Sequence, residues 1–257
     1  VIAASGIAAS EKIPEGSVTR AAGFELRLPE REGRYTLTAA LTANGVTVRN
    51  HWTLWCFERR GEDVPENVRV EKELTEEALG YVERGGRLLV CSVRPMPTEK
   101  TIFRPVPAGR PNGATGTVLH PHPALEGFPH EGWGDWQLKS LLDGGEAIRY
   151  GVPSAPACEA EFAPVVEVIS GFKNLDRFAS VAEYDVGAGR LMFCGLTLGA
   201  APEQRALRAC LLRYLAGELA PAPELDAAYL RARMAGTEEA ASHLETDQGF
   251  DANGQVR

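Results

Sequence analysis

The sequence has 257 residues, 44% hydrophobic and 24% charged, with a formal net charge of -8 and a pI near 5.3. That length suits one large domain or two small ones, each able to bury a core. The acidic balance repels phosphate backbones and argues against a nucleic-acid partner. No run of 18 apolar residues is present, which excludes a membrane-spanning helix. The chain opens at Val1 rather than methionine, as expected of a piece cut from a longer protein. Residues 1–9 are apolar but short and lack a basic start, so they read as a strand and not as a signal peptide.

The first 60 residues read as all-β. Residues 17–20 lead into an alternating stretch, 24–28, that stops at Pro29, and residues 34–41 alternate again. Asn44-Gly45 then signals a tight hairpin, because both residues tolerate positive φ. A strand over 46–57 follows. Four strands are few for a sandwich, so further strands are expected upstream in the parent chain.

Residues 59–67 are polar and read as a linker. Beyond them the pattern changes to α/β. Residues 74–84 have helical spacing, with Thr75 as N-cap and Gly85-Gly86 as the stop. The apolar run 87–93 is expected to be a strand covered on both faces, which makes half of a βαβ unit. Residues 94–116, rich in proline and glycine, read as a long loop. A helix is expected over 133–142, strands over 164–169, 180–186 and 190–196, a turn at 187–189, and a helix over 202–215 that begins with Pro202. Gly86-Arg87-Leu88-Leu89-Val90-Cys91 closely matches Gly189-Arg190-Leu191-Met192-Phe193-Cys194, as two strands of one sheet in similar environments would. A short helix is expected over 224–234. The acidic residues 237–257 have little to bury.

Catalytic and metal chemistry finds weak support. The five cysteines (Cys56, Cys91, Cys158, Cys194, Cys210) form no CxxC pair and are odd in number. They read as buried free thiols, which favours a reducing, cytoplasmic compartment. Neither Cys91 nor Cys194 has the glycine elbow and nearby His-x-Glu of a thiol nucleophile. His120 and His122, with His130 eight residues on, could ligate a metal only with a third ligand, and His-Pro-His-Pro is also a stiff extended loop. No metal or cofactor is expected. Gly187-Ala188-Gly189 lacks the following helix of a dinucleotide fingerprint. Glu131 and Asp135 read as acids at an exposed helix start.

Two stretches carry a family resemblance. Asn50-His51-Trp52-Thr53-Leu54-Trp55-Cys56-Phe57 resembles the N-x-W-x-L-W-x-[FY] strand near the end of the last β-sandwich in bacterial family 2 glycoside hydrolases. His122-Pro123-Ala124-Leu125, followed by Phe128-Pro129 and Asp135-Trp136-Gln137, is similar to the HP-x-L…FP…DWQ segment of the amidotransferase-like domain that follows there. Residues 179–198 are similar to that domain's closing hairpin. The resemblance covers about residues 17–215.

It implies an α/β plus β chain. A partial immunoglobulin-like β-sandwich (1–60) would be followed by a flavodoxin-like, class I glutamine amidotransferase-like three-layer domain (61–220) and a tail (221–257). The family's catalytic carboxylates belong to an upstream (β/α)8 barrel of about 250 residues, so no catalytic residue is carried over. The expected role is a non-catalytic accessory region that supports carbohydrate hydrolysis through domain packing or shaping of the substrate cleft. Its expected partners are the rest of the parent glycosidase, an oligosaccharide, or a second copy in a homo-oligomer. The alternatives are a carbohydrate-binding module and a stand-alone amidotransferase-like enzyme.

Sugar faces stack on aromatic rings, and nearby polar groups bond their hydroxyls. Trp133, Asp135, Trp136 and Gln137 are therefore the candidate substrate-binding residues. Trp133 and Trp136, three apart on the expected helix, would share a face. Trp52 and Trp55 would point to opposite faces of their strand.

Overall fold

The structure, a computed structural model, describes residues 6, 23, 25, 27, 31–58, 61, 63–103, 116–150, 160–169 and 176–236. It divides into two units, residues 1–58 and 59–257. The strands expected over 17–20 and 24–28, the thiol of Cys158 and residues 237–257 lie outside the described residues, apart from the isolated positions 25 and 27.

In the first unit, β1 (Gly33–Ala43) and β2 (Val46–Cys56) form an antiparallel hairpin. Asn44 and Gly45 close it at φ 50° and 77°, the left-handed pair that matches the twist of two strands. Leu41, Val46, Val48 and Trp52 are exposed. Trp55 is half-buried.

The second unit is a mixed α/β layer structure. Its strands are β3 (Arg69–Glu71), β4 (Arg87–Val90), β5 (Thr98–Lys100), β6 (Gly116–Leu119), β7 (Glu146–Arg149), β8 (Pro164–Ile169), β9 (Arg177–Val186) and β10 (Gly189–Cys194). They form one sheet in the order β3-β4-β10-β9-β7-β5, with β8 also on β9 and β6 on β8. β3, β4 and β10 run parallel, and the other pairings are antiparallel.

Helix α1 (Glu76–Glu83) starts where expected, with Thr75 Oγ1 accepting from Ala78 N at 3.2 Å. It stops at Gly85, where φ is 100°. Ala78, Leu79 and Val82 of α1 pack on Leu88, Val90, Leu191 and Phe193 of the parallel strands. Helix α4 (Ala227–Ala235), capped by Asp226, adds Leu230 to this core. Arg231 of α4 ties it to α1 through Glu76 (2.8 Å) and Glu83 (2.6 Å).

Side-chain alternation sends Leu89, Arg190 and Met192 to the other face of the sheet. Helix α3 (Pro202–Ala216) packs there, its Tyr214 bonded to Arg190. Pro202 occupies the first turn, as read from the sequence.

The two matching Gly-Arg segments are neighbours in the sheet, with Arg190 opposite Arg87 and Phe193 opposite Val90. Gly189 is fixed by close approach. A Cβ there would lie 2.1 Å from the Val82 carbonyl and 2.3 Å from that of Gly86.

Two expectations are corrected. The loop read over 94–116 includes β5 and the start of β6, and β7 arises from a segment with no strand alternation. These strands are three or four residues long, too short for periodicity to register. The helix read over 133–142 is instead a 3-10 turn at Trp136–Leu138 and one α-turn, α2 (Lys139–Leu142). Gly132 O accepts from Leu119 N at 3.0 Å, and Gly134 N donates to Thr117 O at 2.8 Å. Bonding to the edge of β6 thus holds Trp133 in a bridge with Val118 and delays the helical turn.

Candidate functional site

The sequence candidates form a short surface segment. Trp133 bridges Val118 of β6 in antiparallel fashion, whereas Trp136 opens the 3-10 turn. They do not share a helix face, which corrects that expectation. Both rings are nevertheless open to solvent, Trp133 at 49% and Trp136 at 63% exposure. Trp136 leans on Phe103, with ring centroids 5.4 Å apart. Between the two tryptophans, Asp135 is half-buried, and its N–H donates to Gln137 Oε1 at 2.9 Å. Gln137 is buried, and its Nε2 has no hydrogen-bond partner among the described residues. The segment, bonded to β6 and closed by a 3-10 turn, carries two aromatic rings on its surface.

The histidines of the adjoining loop are occupied separately. His120 Nε2 meets Glu167 on β8 at 2.8 Å, and His122 Nε2 meets Glu183 on β9 at 2.8 Å. His122 Nδ1 accepts from Ala124 N, which leaves its proton on Nε2 to be donated to Glu183. His130 Nδ1 accepts from Gly132 N at 3.0 Å. Among the described residues, no three His, Cys, Asp or Glu side chains are placed to hold a metal ion.

Glu183 is the centre of a buried polar network. Arg190 Nη1 donates to it at 2.7 Å and the Tyr214 hydroxyl at 2.8 Å. Arg190 also meets Asp185 at 2.8 Å and the Ala220 carbonyl at 2.7 Å. Burial pushes the Glu183 carboxyl up, but the bonds from His122 and Arg190 more than offset it and hold it below the usual carboxylate range. The same burial, with the Glu183 charge alongside, pushes the Tyr214 hydroxyl up to about 12. Every member is satisfied, as a structural network requires. The network anchors the loop that leads to the tryptophan segment.

The thiols are poor nucleophile candidates. Burial pushes Cys194 far above the ordinary thiol range. Cys91 is half-buried, and burial raises it too, although the charge of Arg208 pulls it partly back. Cys56 and Cys210 are buried, and neither forms a disulfide among the described residues.

Sequence reading missed a crevice of about 1050 Å3 beyond the carboxyl ends of β3, β4 and β10. Its lining includes Lys72, Cys91, Leu198, Arg205 and Arg208. Only the sheet order brings these residues together. The one local signal was Arg205 and Arg208, three apart in the first two turns of the helix that comes after a buried strand.

Residues 70–235 match the model of a protein family described as Domain of unknown function (DUF8487). This match covers more than half of the chain, and the chain belongs to that family. No curated protein matches it.

Proposed function

We propose that this member of the DUF8487 family is a non-catalytic accessory region of a family 2 glycoside hydrolase. In this reading, a partial immunoglobulin-like sandwich precedes a flavodoxin-like, class I glutamine amidotransferase-like three-layer domain. The region supports carbohydrate hydrolysis by the parent enzyme, and residues 133–137 form the wall it presents to the substrate cleft. The observation that carries the proposal is the exposure of Trp133 and Trp136 on a segment fixed to the β6 edge and a 3-10 turn. Large exposed rings on a rigid backbone are the usual means of stacking on a sugar face or on a neighbouring domain. The N-x-W-x-L-W-x-[FY] strand and the HP…DWQ segment supply the family context.

The test is intrinsic tryptophan fluorescence during titration with galactosides, glucuronides and plant-type oligosaccharides, with Trp136→Ala as control. A saturable change that disappears in the variant is the expected result. A folded protein that responds to no sugar would remove carbohydrate contact from the proposal and leave domain packing. Packing is checked by the effect of Trp136→Ala on the activity and association of the parent enzyme. No effect there either would end the reading.

A further inference from the structure

We propose that the crevice beyond β3, β4 and β10 binds the oxyanion group of a small molecule, a carboxylate or a phosphate, between Arg205 and Arg208. Where parallel strands stop, the chain turns away toward helices on either face and leaves a hollow, and open α/β sheets place their ligands there. Here the three parallel strands end at Glu71, Val90 and Cys194, and the hollow lies directly past them. Its volume, about 1050 Å3, is at the upper end for small-molecule sites.

The chemistry of the lining selects the ligand. Arg205 and Arg208 stand three apart on α3 and therefore on one face, and Lys72 adds a third cation from the end of β3. Two carboxylates also line the space. Glu71 is engaged by Arg69 Nε at 2.7 Å, and Glu73 is exposed to solvent. Lys72 is exposed like Glu73, so the lining holds three cations against two carboxylates, a small positive excess in a protein of net charge -8 that favours an anion. Val70, Leu198 and the Cys91 thiol supply an apolar wall, so the anionic group belongs to a molecule with a non-polar face.

The rim is constructed rather than incidental. Gln204 is buried, and its Oε1 accepts from Gly199 N at 3.1 Å and Ala201 N at 3.2 Å. Its Nε2 donates to Ser140 O at 2.9 Å. A Cβ on Gly199 would lie 2.7 Å from that Oε1, so a larger residue there would displace the Gln204 amide from the rim. The first turn of α3 is thereby fixed, and the helix brings the positive end of its dipole to the same hollow. Guanidinium groups on such a frame can take both oxygens of a carboxylate or phosphate.

The test is calorimetric titration of the full chain with inorganic phosphate, glucuronate, methyl glucoside and chloride at constant ionic strength. Saturable binding of phosphate or glucuronate is expected, weakened about tenfold or more in Arg208→Gln and Arg205→Gln. Phosphate binding alone assigns a phosphorylated ligand, and glucuronate binding alone assigns a carboxylated sugar. Equal binding of chloride, no binding of any probe by the folded chain, or wild-type affinity in both arginine variants overturns the proposal. Should the variants not fold, iodoacetamide labelling of Cys91 in the wild-type chain decides. A probe that occupies the crevice slows it, and a probe that binds without slowing it lies elsewhere.

Discussion

Arg87 and Arg190 stand opposite each other in the parallel β4–β10 pair, and both hold the carboxyl-terminal end of α3. Arg87 Nη1 donates to the carbonyls of Leu215 and Gly217, each at 2.7 Å, and Arg190 Nη2 donates to that of Ala220 at 2.7 Å. These are the last carbonyls of a helix and the turn after it, which have no partner within the helix and carry its negative end. The matching Gly-Arg segments are therefore two copies of one task. Gly189 lets β10 start against the Val82 and Gly86 carbonyls, Gly86 makes room for the Tyr81 ring, and the two arginines hold the end of α3 and the turn after it. The opposite end of α3 is thereby set at the crevice.

The buried network makes a demand on stability. Glu183→Gln leaves the Arg190 guanidinium buried without its main counter-charge. The expected loss is about 3 kcal/mol, as for other buried ion pairs broken on one side. Urea denaturation of the two proteins measures it. A loss below about 1 kcal/mol would show that Asp185 and the Ala220 carbonyl suffice for Arg190.

Acid should weaken the fold in a defined direction. The bonds from Arg177 hold the Glu167 carboxyl below the usual range against the effect of burial, and Glu183 is held low as described. A carboxyl that binds its proton less readily when folded stabilises the fold at pH values above its unfolded pKa. That contribution fades as pH falls through the folded value. Urea midpoints should therefore fall as the pH is lowered below the ordinary carboxyl value of 4.5. The slope should flatten in Glu167→Gln. An unchanged slope in that variant would remove Glu167 from the acid response.

Glycine positions separate cleanly. Gly189→Ala drives a Cβ into the carbonyls of Val82 and Gly86 and should cost about 3 kcal/mol or prevent folding. Gly116→Ala meets nothing within 4 Å and should be neutral or stabilising by about 0.5 kcal/mol. Thermal melts of both variants check the contrast. Equal effects would contradict the close approach at Gly189.

Thr75→Ala removes the side-chain acceptor at the start of α1. About 1 kcal/mol of stability should be lost. Faster amide exchange at Ala78, read by NMR, would locate the loss at that cap. Trp136→Ala, by contrast, removes a largely exposed ring and should shift stability by no more than about 0.5 kcal/mol.

Much of this architecture was legible in the sequence, because local chemistry decides it. Asn44-Gly45 specifies a hairpin turn, Thr75 and Gly85 bound α1, Pro202 opens α3, and the paired Gly-Arg segments mark two strands in like surroundings. Each signal depends on the conformations or the burial that a few adjacent residues accept. The tertiary structure decided the rest. A helix is read over 133–142, yet bonds to the β6 edge hold Trp133 in a bridge with Val118, so the two tryptophans share a surface segment rather than a helix face. The three-residue strands exist only because β7 and β4 offer them hydrogen bonds. The crevice depends on β10 lying beside β4, which brings Arg205 and Arg208 of α3 beside Lys72, over 130 residues away in sequence. Such placements follow from long-range pairing in the sheet, and pattern within a short window carries no record of it.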